Sequence, residues 1–111
     1  MKLDHSTSQT DLPLEKQVLN ISVNMARIAY WTADSLQTKK QLIGRFMEQT
    51  NGFLTDLKNQ DISDKFIPTL ERFKKEFNSL KSEEVNEENK LIWAERALTW
   101  ANILQHRARL A

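Results

Sequence analysis

An all-α fold follows from three observations. Glycine and proline are confined to Gly44, Gly52, Pro13 and Pro68 among 111 residues, far fewer turn formers than a sandwich or barrel of this length requires. No run shows sustained two-residue alternation with β-branched enrichment. Helix-length segments instead carry apolar residues at three- and four-residue spacing. The predicted architecture is an antiparallel four-helix bundle, with helices at 12–33, 35–59, 67–81 and 86–110. The alternative is a three-helix arrangement with one long kinked N-terminal helix.

Residues 1–10, rich in Ser, Thr and Lys and without periodicity, predict a disordered tail ahead of a single helical-bundle domain at 11–111. Asp11, Leu12 and Pro13 mark the first helix start, because proline in a first turn removes only an N–H that has no partner there. At about 100° per residue, Leu14, Val18, Ile21, Met25 and Ile28 share one face. Leu19, Val23, Ala26 and Tyr30 form a second stripe roughly 150° around. Between Thr32 and Gln41 the apolar pattern thins, and Asp34 followed by Gln37 has capping-box spacing. A tight turn is placed there, although neither glycine nor proline supports it.

The second helix gathers Leu36, Ile43, Phe46, Met47, Phe53, Leu54 and Leu57 on one arc, opposite Gln41, Arg45, Glu48 and Asp56. Ser63 or Asp64 is the expected cap of a short turn before Pro68 opens the third. Phe66, Leu70, Phe73, Phe77 and Leu80 then step by four, three, four and three, a heptad seam that packs by one edge. In the last helix Leu91, Ile92, Trp93, Ala94, Ala97, Leu98, Trp100, Ala101, Ile103 and Leu104 wrap about two-thirds of the circumference. Glu87 and Glu88 stand at its positive end, and His106, Arg107 and Arg109 at its negative end.

Composition excludes much chemistry. Sixteen basic against 15 acidic residues leave a net charge of +1, so no whole-molecule field draws nucleic acid or an anionic membrane. Absent cysteine removes disulfides and thiolate sites. No signal-like run and no stretch near the roughly 18 apolar residues of a span is present, which leads to the expectation of a cytoplasmic protein with no membrane partner.

Acid–base or nucleophilic catalysis needs a held histidine, cysteine or tuned carboxylate. His5 falls in the tail, and His106 shares a polar wedge with Glu95, Thr99, Asn102 and Arg109. Neither has an acidic residue three positions before it, as a bundle di-metal site requires. Arg107, Ala108 and Arg109 after His106 do not reproduce the Lys and Gly that follow a phosphotransfer histidine. The two isolated glycines make no phosphate loop. No catalytic residue, metal or cofactor is therefore expected, and the chain reads as a non-enzyme.

The tryptophans point toward binding. Trp93 and Trp100 share a face, with Arg96 between them at cation–π spacing. Burying one such ring removes about 150–250 Å² from water, worth roughly 4–6 kcal/mol. Trp31 lies among polar residues. Because two helices carry more apolar circumference than a regular bundle covers, a homodimer through the first and last helices is expected, together with an unidentified protein partner. The candidate interface residues are Trp31, Trp93, Arg96, Trp100, Leu104, Leu19, Val23 and Tyr30. The alternative function is nucleic-acid association through Lys16, Arg27, Lys39, Lys40 and Arg45, with Glu15, Asp34 and Glu48 interspersed against it.

Overall fold

Helix α1 spans Leu14–Leu57, a 44-residue element with one residue, Ser35, outside helical geometry at φ −142° and ψ 42°. The computed structural model describes residues 9–111, so the tail expectation at 1–8, including His5, lies outside the described residues. A straight helix of this length would reach about 66 Å, yet the longest dimension of the chain is 40 Å. Ser35 is where α1 reverses. Asn24 Nδ2 donates to Thr50 Oγ1 at 3.3 Å, whereas a continuous rod would hold those residues about 39 Å apart.

The reversal has a local cause in short polar side chains that compete with the backbone ladder. Ser35 Oγ donates to Asp34 Oδ2 at 2.9 Å, and Thr38 Oγ1 to the Ser35 carbonyl at 3.3 Å. The expected Asp34–Gln37 capping box does not carry it, since Gln37 Nε2 instead donates to Glu87 Oε2 at 3.2 Å. Three helices are thus present rather than the four first expected, and the alternative of one long kinked N-terminal helix describes α1.

Helix α2 spans Ile67–Ser82 with Pro68 in its first turn. Its entry is held by Ser63, whose Oγ accepts the Lys65 N–H at 3.2 Å and whose carbonyl accepts Phe66 and Ile67 N–H. Helix α3 spans Lys90–Arg107 and ends in a 3-10 turn, Ala108–Leu110. It starts four residues later than expected because Asn86 and Asn89 organise the loop: Asn86 Oδ1 accepts the Glu88 and Asn89 N–H groups, and Asn89 Oδ1 accepts that of Asn86. The Ala111 carbonyl accepts Ser63 N–H at 3.1 Å, tying the last residue to the α1–α2 connection.

The core is built from the predicted stripes. Val18, Ile21, Met25 and Ile28 of α1 are buried, as are Phe66, Leu70, Phe73, Phe77 and Leu80 of the α2 seam. Trp93, Ala97, Ala101 and Leu104 enter from α3. The two limbs of α1 meet differently, through amides. Gln17 and Gln60 exchange side-chain hydrogen bonds at 2.9 and 2.8 Å. Asn24 donates to Gln49 Oε1 at 2.9 Å, and Trp31 stands edge-on to Phe46 with centroids 5.0 Å apart. Gln17, Asn24 and Trp31 are seven residues apart, so one helical edge makes all three contacts. Gln9, expected in the tail, is buried and donates to the Gln17 carbonyl at 3.2 Å.

Candidate protein interface

The predicted interface residues divide into an inner and an outer set. Trp93 is 3% exposed, with Nε1 donating to the Leu80 carbonyl at 3.1 Å, and Leu104 is 1% exposed. Both serve the core of this chain, which corrects their placement on a partner-facing strip. Trp100 is half-buried and tilted against Phe73 at 5.6 Å. Trp31 packs between the limbs of α1 rather than standing free. Helix α3 thus spends its aromatic side on α2.

Arg96 is a clasp between α2 and α3, not a tryptophan partner. Its Nε meets Glu76 Oε2 at 2.9 Å, its Nη1 meets both Glu83 oxygens at 2.9 and 2.8 Å, and its Nη2 reaches Ser79 Oγ at 3.1 Å. Hydrogen bonding from Arg96 outweighs desolvation and holds the Glu83 carboxyl below the ordinary carboxylate value. Hydrogen bonds to Glu76 and then Glu83 push the guanidinium up in turn. Glu83 follows the last turn of α2, where a cation is favoured, so Arg96 also offsets a carboxylate at the wrong end of a dipole.

The outer set lies along the seam between the first limb of α1 and α3. Leu19, Val23, Ala26, Tyr30 and Ala33 step by four, three, four and three, a second heptad on the same helix. Val23 is 45% and Tyr30 65% exposed, and across the seam Leu91 and Ile92 are 64% and 65% exposed. Two shallow depressions flank Tyr30. One, of about 410 Å³, runs from Ala33 to Leu91, Ile92 and Leu98; the other, of about 310 Å³, from Leu19, Val23 and Arg27 to Asn102 and Gln105. Leu91 and Ile92 were missed as interface residues; their signal was an apolar pair in a first helical turn whose neighbours already filled the inward face.

The seam carries one charge of each sign. Arg27 borders the depression on one side of Tyr30 and Glu95 the depression on the other. Arg27 also lies 5.9 Å from the Phe46 ring centroid, a cation–π contact that orients it. Of the other basic residues considered for nucleic acid, Lys16, Lys40 and Arg45 are exposed and Lys39 is half-buried. Asn24, once grouped with them on a solvated wedge, is buried between the limbs.

Among the described residues no group of three or more metal-ligating side chains is assembled. No helix among them is long and apolar enough to cross a membrane. No family model, curated protein or solved structure matches the chain.

Proposed function

We propose that this chain is a non-catalytic helical interaction module that pairs with a second copy of itself through the α1–α3 seam. The observation supporting this reading is the exposed cluster of Val23, Tyr30, Leu91 and Ile92 on one continuous face. Single exposed apolar residues are ordinary on protein surfaces, but contiguous ones with heptad spacing are the pattern of a covered helix edge. A two-fold axis passing near Tyr30 exchanges the two depressions. Arg27 of one protomer then faces Glu95 of its partner, and the reciprocal pair forms on the other side, as an isologous interface demands. A protein partner of the pair remains part of the same reading.

Sedimentation equilibrium tests it. The expected mass is twice the 13.0 kDa of the chain. Arg27→Glu or Glu95→Arg alone shifts the equilibrium toward the single chain, and the two together restore pairing. A 13.0 kDa species at every concentration, or a double variant no better than either single one, overturns it. Salt-sensitive retardation of DNA or RNA by the wild-type chain, lost in Lys40→Glu, would replace it with the nucleic-acid reading.

A further inference from the structure

A larger cavity, about 800 Å³, opens between the second limb of α1, the end of α2 and the α2–α3 loop. It shares no lining residue with the depressions beside Tyr30. Its walls are Leu36, Ile43, Met47, Leu80, Val85 and Trp93, and its volume falls in the range of small-molecule sites, roughly 300–1,000 Å³.

Two features of this cavity are costly to a fold that uses it for nothing. Thr32 lines it, is 0% exposed, and carries in Oγ1 the one buried side-chain polar atom without a hydrogen-bond partner among the described residues. Native proteins keep few such atoms, because each forfeits its hydration without replacement. Gly44 stands inside α1 at the cavity mouth, where a Cβ would meet nothing within 4 Å. Packing does not demand this glycine, and helix propensity opposes it. Its effect is an open mouth.

The rim is charge-balanced. Lys40 and Lys81 oppose Glu48 and Glu84, while Glu83 is already held by Arg96. An ionic ligand would gain nothing from one sign without losing to the other. We propose that the cavity binds an uncharged, mainly apolar small molecule bearing one hydrogen-bonding atom, which the Thr32 hydroxyl engages.

Titration of the full chain with Nile red, an uncharged apolar dye whose carbonyl accepts hydrogen bonds, tests this by fluorescence. Saturable one-to-one binding is expected. Gly44→Leu fills open space at the mouth and raises helix propensity, so its thermal midpoint should not fall while affinity drops by about tenfold or more. Thr32→Val keeps the shape and removes the hydroxyl, weakening binding by about fivefold, the worth of one hydrogen bond. Tyr30→Ser, at the other face, leaves affinity unchanged. Absence of saturable binding, wild-type affinity in Gly44→Leu, or loss of binding in Tyr30→Ser would each overturn the proposal.

Discussion

Replacing Thr32 by valine should make this protein more stable, against the rule that most core substitutions destabilise. Valine reproduces the branched shape of threonine, so the surroundings of Thr32, 0% exposed in the middle of α1, need not move. What changes is the hydroxyl. Its oxygen has no partner in the fold but is hydrated in the unfolded chain, a penalty of about 1–3 kcal/mol that valine does not incur. At about 2.1 cal/mol/K of unfolding entropy per residue, the 111 residues give roughly 4 °C for each kcal/mol. The expected rise in thermal midpoint is therefore about 4–13 °C. Circular dichroism melting measures it, and urea unfolding should show a higher midpoint at unchanged slope. Thr32→Ser, which keeps the hydroxyl and loses the methyl, should fall below wild type. A valine variant that melts at or below the wild-type temperature would refute the claim that Oγ1 is unsatisfied.

Two further outcomes follow from contacts already described. Asn24→Ala removes the donor to Gln49 and Thr50 and should cost about 1–3 kcal/mol in urea unfolding, while Thr50 keeps its bond to the Phe46 carbonyl; no loss would mean the limbs are not joined there. Glu83 and Glu87 are both held below the ordinary glutamate value, Glu83 first by Arg96 and Glu87 first by Lys90 and then Gln37. A depressed carboxyl stabilises the fold above its unfolded value of about 4.3 and loses that contribution as pH falls through the lowered one. The stability gap between wild type and Arg96→Gln should consequently be full at neutral pH and shrink below about pH 4, and a gap constant into strong acid would contradict the clasp.

Residues with hydrocarbon side chains announced their positions well. The α2 seam from Phe66 to Leu80 and the α1 stripe from Val18 to Ile28 are buried as their spacing implied, and α2 ends within one residue of its expected limit. Polar residues misled, because a residue's own type does not say whether its partner is water or another amide. Gln17, Asn24 and Trp31 read as a solvated wedge and are instead the contact between the limbs of α1. The reversal at Ser35 was legible only as a thinning of pattern, since it uses serine, aspartate and threonine hydrogen bonds and no positive φ among the described residues. At the interface, the sequence named Tyr30 and Val23, which are exposed, alongside Trp93, whose depth is set by a carbonyl of α2 that no pattern in α3 reveals.

The glutamine and asparagine rungs between the limbs make the hairpin a keyed joint. Hydrocarbon surfaces would accept a slip of one helical turn with little complaint. An amide, with its donor and acceptor on opposite prongs, finds nothing to answer it after such a slip. Gln17 meeting Gln60 and Asn24 meeting Gln49 therefore fix how far one arm travels past the other, a job that the bend at Ser35, lacking the rigid ring or bare backbone of a dedicated turn, does not do alone.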